Sequence, residues 1–191
     1  MRIVAGKARG AALKTPPDSR IRPTTDRVRE SLFNILTHVP AHGADGFRLE
    51  GSRVLDLFAG TGALGLEALS RGAAFCVFID ESAEARGLIR TNVERCNMTG
   101  QARISRRDAT RLGPVGKYEP FDLVLADPPY GKDLAAAAAR SVMQGGWLKP
   151  GGLMVLEDAK SAPFDWPDGI ETVTERDYGD TMIRIGRARE G

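Results

Sequence analysis

From residue 53 onward the chain alternates between short apolar runs and amphipathic stretches, and this alternation limits the possible folds more than any other feature. Apolar or β-branched runs at 54–58, 74–79, 102–105, 121–126 and 153–157 read as strands. Stretches at 63–71, 83–96 and 134–143 carry the helical period or a run of alanines, and read as helices. Repeated strand–helix units need crossover connections, which give a mostly parallel sheet with helices on both faces, an α/β fold. Lys149-Pro150-Gly151-Gly152 has the composition of a turn before the fifth strand. The tail changes character: 170–178 and 180–185 alternate and flank Gly179, which predicts an antiparallel hairpin finishing the sheet.

The run at 121–126 stops at Asp127-Pro128-Pro129-Tyr130. Proline fixes φ and removes a backbone donor, so two in succession end a strand and stiffen the chain. An acid and an aromatic ring are thereby presented at the carboxyl end of a strand, where open α/β sheets bind their ligands. A carboxylate beside a flat ring suits a planar substrate carrying an amino group. The alternative for Tyr130 is a strand-end aromatic packed into the core.

Between the first strand and its helix lies Gly60-Thr61-Gly62-Ala63-Leu64-Gly65, a match to the G-x-G-x-x-G fingerprint, with Asp80 ending the next strand. The motif alone does not separate a dinucleotide from another adenosine-type cofactor, and a purely structural glycine turn is the plain alternative. Asp56, inside the strand, can meet a cationic group and would repel a pyrophosphate. Asp80 can hold a ribose diol. Asp108-Ala109, after the third strand, can accept from an adenine amine, or Asp108 can simply cap a helix. Together these acids describe a cofactor with a cation and an adenosine but no phosphate, S-adenosylmethionine.

The net charge of +2 hides an uneven distribution. Residues 1–30 carry eight basic side chains against three acidic ones, a net of +5. That polarity fits a basic nucleic-acid-binding arm on a neutral domain, or a solubilising tail. Residues 1–15 alternate weakly around Gly6 and Gly10, as a small hairpin would, and Pro16-Pro17-Asp18-Ser19 reads as a linker. The expected division is a basic arm at 1–20 and one domain at 21–191. Arg22-Pro23-Thr24-Thr25-Asp26 reads as a helix start, and Val28, Leu32, Ile35, Leu36 and Val39 follow at helical spacing up to Pro40. Arg2, Lys7, Arg9, Arg20, Arg22 and Arg27 are the candidate phosphate contacts. Arg27 and Arg29 have competing roles, in pairing with Glu30 or in reaching the cofactor pocket.

With 191 residues the chain can bury a full core, and 42% apolar content is ordinary for a soluble protein. The absence of a secretory signal and of a long apolar run argues against disulfides, export and membrane spanning, and for the cytoplasm. Two cysteines and two histidines at wide spacing make no metal site.

Val54-Leu55-Asp56-Leu57-Phe58-Ala59-Gly60-Thr61-Gly62 resembles motif I of class I methyltransferases, and Asp127-Pro128-Pro129-Tyr130 resembles their motif IV, a pairing shared by amino-group methyltransferases. Residues 22–34, the helix at 62–72 and the opening Arg2-Ile3-Val4-Ala5-Gly6 are similar to the bacterial RsmD family, whose members methylate the exocyclic N2 of a guanine in small-subunit ribosomal RNA. The resemblance covers residues 2 to about 157. Asp80 is a mild departure, because many relatives carry glutamate there. The resemblance implies a Rossmann-like class I methyltransferase fold that binds S-adenosylmethionine through Asp56, Phe58, Ala59, Gly60, Thr61, Gly62, Asp80, Glu81, Asp108 and Ala109. It implies catalysis at Asp127, Pro128, Pro129 and Tyr130, and action on ribosomal RNA within an assembled or partly assembled small-subunit particle. A monomer without metal is the expected state.

Three other readings stay open from the sequence. Motif IV equally fits an amino-methyltransferase acting on adenine N6 of DNA or RNA. The glycine fingerprint alone fits a nicotinamide oxidoreductase. A catalytically silent RNA-binding assembly factor would keep the same fold.

Overall fold

A computed structural model of the chain describes residues 1–17, 25–40, 47–130 and 132–190. Helix α1 (Asp26–His38) is capped by the Thr25 side chain, which accepts from the Val28 N–H, and it ends as expected ahead of Pro40. There follow β1 (Arg53–Leu57), α2 (Ala63–Ser70), β2 (Phe75–Ile79), α3 (Ala83–Arg95), β3 (Ala102–Ser105), β4 (Phe121–Ala126), α4 (Leu134–Gln144), β5 (Leu148–Ala159), β6 (Ile170–Tyr178) and β7 (Thr181–Ala188). Ser82 caps α3 by accepting from the Ala85 N–H.

The strands form one seven-stranded sheet in the order β3-β2-β1-β4-β5-β7-β6. The first five run parallel, and β7 lies antiparallel between β5 and β6. The chain winds outward from β1 to β3 and then returns to β4 on the other side of β1. The sheet therefore changes winding direction between β1 and β4, which opens a crevice at their carboxyl ends. This is the Rossmann-like α/β arrangement expected from the alternation of elements.

Strand alternation divides the core in two. Val54, Phe78, Leu123, Leu125 and Val155 face α1, α2 and α3, joined by Phe33, Leu36, Leu66 and Leu69. Leu55, Leu57, Val77, Val124 and Leu156 face α4, joined by Ala138, Ala139 and Val142. Residues Leu123 to Ala126 are at most 2% exposed, and each buried Leu or Val contributes about 1.5–3 kcal/mol relative to exposure. That burial fixes β4 firmly, so the loop it carries starts from a rigid base.

Two parts differ from the sequence reading. The segment at 149–152 is not a turn before β5 but an irregularity inside it: Phe121 pairs with Leu148 and Leu123 with Leu153, so β5 takes up extra residues while staying in the sheet. At the amino terminus the expected small hairpin is present, with an antiparallel bridge from Arg2 to Ala12 and the N–H groups of Ile3 and Leu13 donating to the carbonyls of Ala11 and Met1, but it is not a free arm. Residues 1–14 are seated on the domain rather than hanging from it, with Ile3 and Leu13 in the core. A Cβ at Gly6, whose φ is +82°, would fall on the Ser70 carbonyl, so only glycine lets this turn lie against the end of α2. The Lys7 N–H donates to that same carbonyl at 2.8 Å.

A buried carboxylate holds this seat. Glu67 Oε2 accepts from the Val4 N–H at 2.9 Å, and Glu67 Oε1 accepts from the Ala5 N–H at 3.0 Å. Arg29 Nε reaches Glu67 at 3.4 Å and Arg71 Nε reaches it at 2.9 Å. Arg29 also donates to the Arg2 carbonyl and to Asp26. Three elements thus meet on one acid whose side chain is fully buried.

Candidate active site

A cleft of about 610 Å³ opens at the carboxyl ends of the parallel strands, at the change of winding direction. Phe58 and Gly60 enter it from the end of β1, and Ile79, Asp80, Glu81 and Ser82 from the end of β2. Arg107 and Ala109 follow β3, Asp127, Pro128, Pro129 and Tyr130 follow β4, and Leu134 begins α4. Of the residues expected from sequence, the structure brings Phe58, Gly60, Asp80, Glu81, Ala109 and the four of the Asp-Pro-Pro-Tyr loop onto one wall or another of this space.

The glycine loop is shaped by backbone conformation. Phe58, Gly60 and Gly62 have φ of 53°, 57° and 80°, all in the left-handed region. Asp80 holds the loop open: its Oδ2 accepts from the Gly60 N–H at 2.9 Å and its Oδ1 from the Ser82 N–H at 2.9 Å. Each oxygen retains a further lone pair for a donor in the cleft. Arg86 donates to the carbonyls of Asp80 and Glu81, which fixes the start of α3 against the same turn.

Other expected cofactor residues support the loop from behind. Asp56 does not line the cleft. It is 1% exposed beneath α2, and its Oδ2 accepts from the Gly65 N–H at 3.0 Å. Burial pushes its carboxyl well above the ordinary range. The Gly65 bond opposes that shift, and the charges of Asp127 and Asp80 add to it. Asp56, expected from sequence to meet a cofactor cation, ties β1 to α2 from beneath the glycine loop. A Cβ at Gly65 would strike Phe78 and Cys76, which explains the third glycine of the motif as close helix–strand packing. Ala59 is buried, and its N–H donates to the Ile79 carbonyl at 3.1 Å. The Thr61 carbonyl accepts from Asn92, and Gly62 packs near Ile89 and Phe78. Asp108 caps the turn at Ala109–Arg111, accepting from the Thr110 N–H at 2.8 Å and its hydroxyl at 2.6 Å, and these bonds lower its pKa. Its position beside Ala109 sets the wall of the cleft without lining it.

On the opposite wall Asp127 is half-buried and Pro128 buried, while Pro129 and Tyr130 are exposed. The Tyr130 hydroxyl donates to Glu157 Oε1 at 3.2 Å and lies 2.7 Å from Thr181 Oγ1. The phenol is pushed up to about 12, chiefly by burial, with the Thr181 bond opposing and the Glu157 and Asp127 charges adding. The ring is thus anchored at its tip, and two-fifths of the residue is open to the solvent side.

Of the expected phosphate contacts, Arg2, Lys7, Arg9 and Arg27 are exposed, and Lys7 Nζ donates to Gln101 at 2.5 Å. Arg20 and Arg22 lie outside the described residues, as does the Thr24 end of the expected helix start. Arg29 is fully buried on Glu67 and Asp26, and so contacts neither Glu30 nor the cleft. Sequence reading missed Glu67, Asn92, Glu157 and Arg107. The only local signal for Arg107 was its place two residues before Ala109 in a strand-exit loop. Its guanidinium lies 5.2 Å from the Trp147 ring centre and donates to the Leu112 carbonyl.

Comparison with known proteins places this arrangement. The Ribosomal RNA small subunit methyltransferase D of Escherichia coli K12 is 37% identical over 172 residues, covering 87% of this chain and 81% of that protein. The protein of the same name from Haemophilus influenzae is 32% identical over 187 residues, covering 97% and 92%. The solved Escherichia coli structure yhhF superposes with a TM-score of 0.82 at 31% identity, covering 100% of this chain and 99% of that one. Residues 1–187 match the family described as Conserved hypothetical protein 95. The chain belongs to that family, the one that holds the RsmD methyltransferases.

Proposed function

We propose that this protein transfers a methyl group from S-adenosylmethionine to the exocyclic N2 of a guanine in small-subunit ribosomal RNA. The observation that carries the reading is the Asp127–Tyr130 corner facing the Gly60–Asp80 turn across one cleft, in a chain of this family. Relatives named as ribosomal RNA small subunit methyltransferases support the nucleic-acid class of substrate.

The lining fits the cofactor. Asp80 offers free lone pairs for a ribose diol, Phe58 and Ala109 offer apolar surface for an adenine, and Gly60 brings the backbone close. When bound, the cofactor supplies a sulfonium methyl group that is open to in-line displacement. The chain's own work is to prepare the acceptor. An exocyclic amine on a purine shares its lone pair with the ring, which makes it a poor nucleophile. Asp127, together with the Pro128 carbonyl, accepts from the amine, localises that pair and offsets the charge developing on nitrogen. The proton released after transfer goes to Asp127 or to water. Tyr130 stacks on the base, which must leave its helix to reach the loop. Neither step calls for a metal.

The basic residues 1–14, with Arg27, form the RNA-facing part of a single domain, and phosphates of the RNA pair with Arg2, Lys7 and Arg9. The protein acts as a monomer that takes further contacts to the RNA from a ribosomal particle in the cytoplasm. The deciding experiment maps modified bases in ribosomal RNA from cells with and without the gene. One guanine that loses an N2-methyl group in the deletion is the expected result. Activity confined to adenine in DNA would overturn the reading.

A further inference from the structure

The chain has a second basic segment, far in sequence from its amino terminus. Residues 86–117 carry eight basic side chains against two acidic ones, a net of +6, and seven of the eight are arginine. With the +5 of residues 1–30, this leaves the rest of the chain at −9. The segment runs through most of α3 and through β3, which forms one edge of the sheet.

Arg90 and Arg95 on α3, Arg103 on β3, and Arg106 and Arg111 beyond it are all exposed. Ala102 and Ile104 pack with the α3 side of the core, so Arg103 leaves from the opposite face and the charge wraps around the sheet edge. Among the described residues none of the five is in an ion pair. The two acids within the segment are Glu94 and Asp108, and Asp108 is held by Thr110.

This band joins both regions that meet the substrate. Lys7 Nζ donates to Gln101, the residue before β3. Asn92 holds both backbone groups of Lys14 against α3. At its other end the band reaches Arg107, which lines the cleft. A polyanion suits such a surface, because an exposed guanidinium presents a planar fork of donors that matches a phosphate. A membrane or an apolar protein face would call for exposed hydrophobic side chains among the charges. Among the described residues the one large exposed hydrophobic is Tyr130, across the cleft.

Resting on the proposed ribosomal-RNA reading, we infer that this edge of the sheet is a second RNA-binding surface. The RNA flanking the target base lays its phosphates along it, so that the contacts of Arg2, Lys7 and Arg9 continue around α3 to the mouth of the cleft.

The test compares two triple variants of the full-length protein that have the same net charge. Arg90→Gln/Arg103→Gln/Arg106→Gln strips the sheet edge. Arg140→Gln/Arg176→Gln/Arg189→Gln removes three exposed charges from α4, β6 and the residue after β7. Affinity is measured at successive KCl concentrations, for small subunits from cells lacking the gene and for the same RNA freed of protein. The edge variant should bind both roughly 10- to 100-fold more weakly, with a log–log salt dependence shallower by about 2. The distal variant should lose less than about threefold, because its charges lie beyond the screening length. If the edge variant does not fold, Arg103→Gln and Arg106→Gln singly should each make the salt dependence shallower by about 0.7. An edge variant that binds like the wild type would mean that the arginines only guard the strand against pairing. Equal losses in the two triple variants would reduce the effect to net charge, and a loss with particles but not with free RNA would make the partner a ribosomal protein. Each of these three results overturns the inference and leaves the guanine-N2 reading intact. A wild-type protein that binds neither particle nor RNA would overturn both.

Discussion

The side-chain amide of Asn92 donates to the carbonyl of Thr61 at 2.9 Å, which ties helix α3 to the middle of the glycine loop. The same side chain accepts from the Lys14 N–H at 2.7 Å and donates to the Lys14 carbonyl at 3.0 Å. Asn92 is fully buried. One residue therefore joins the basic amino-terminal segment to the turn that borders the cofactor cleft, and Met1 lies against the same threonine, its sulfur 3.6 Å from the Thr61 hydroxyl.

Replacing Asn92 with alanine should destabilise the protein by about 2–3 kcal/mol, because three part-buried backbone groups lose their partner. Binding of S-adenosylhomocysteine, measured by calorimetry, should weaken along with stability. A variant that loses stability but binds the cofactor product with unchanged affinity would show that the loop holds its shape without this support.

Glu67 makes a sharper case. Removing it as Glu67→Ala leaves buried Arg29 with Asp26 alone, takes the acid from Arg71 and strips the acceptor from Val4 and Ala5, so a loss of about 3–5 kcal/mol is expected in chemical denaturation. Part of that loss should return in the double variant Arg29→Leu/Glu67→Leu, where the fully buried guanidinium has gone together with its acid. A double variant no more stable than Glu67→Ala would mean that the contacts to Val4 and Ala5, and not the ion pair, dominate.

These two hubs show where sequence reading stops. The strands and helices were legible because their hydrophobic periods are local, and the Asp-Pro-Pro-Tyr loop was legible because proline chemistry is local too. The seating of residues 1–14 was not. It depends on Glu67 and Asn92, which lie 62 to 78 positions away in the chain and sit in helices where a polar residue ordinarily faces water. The backbone bond of Asp56 was hidden for a related reason. An acid in a strand before a glycine loop looks like a ligand group, and only the packing of Gly65 against it shows that it also has a backbone partner. The irregularity at 149–152 was hidden because prolines and glycines announce a turn equally well when the strand pairing continues around them.

Asp127→Ala should lower kcat by about 10²–10³-fold, the usual cost of losing one acceptor or donor aimed at developing charge. Because the strand pairing of β4 ends one residue earlier, at Ala126, the protein should stay folded and keep its affinity for S-adenosylhomocysteine. Methylation at wild-type rate in this variant would remove Asp127 from the chemistry.

Tyr130→Phe and Tyr130→Ala separate anchoring from stacking. The phenylalanine variant keeps the ring, while the alanine variant loses a stacking contribution of about 1–3 kcal/mol, which should appear as a roughly 5- to 150-fold drop in kcat/KM for RNA. The phenol's pKa of about 12 keeps it protonated through neutral pH. The pH profiles of the wild type and the phenylalanine variant should therefore coincide between pH 6 and 9. A difference within that range would mean that the hydroxyl titrates in the working enzyme.

Asp56 sets a pH dependence of stability that can be isolated. Its carboxyl is raised above the ordinary value of 3.8, mainly by burial, so the folded protein holds a proton there over a range in which the unfolded chain has released it. The stability this group contributes is fully present below the unfolded value and is lost as pH rises through the folded one, at up to about 1.4 kcal/mol per pH unit. Asp56→Asn keeps an oxygen for the Gly65 N–H and removes the titration. The difference in unfolding free energy between the variant and the wild type, measured in urea at successive pH values, should therefore move in favour of the variant as pH increases from about 4. A difference that stays flat over that span would place the folded pKa of Asp56 at its ordinary value. The Gly65 hydrogen bond would then be strong enough to keep the buried carboxylate ionised, and an anion lying directly beneath the glycine loop would make the cleft above it more attractive to a cationic group.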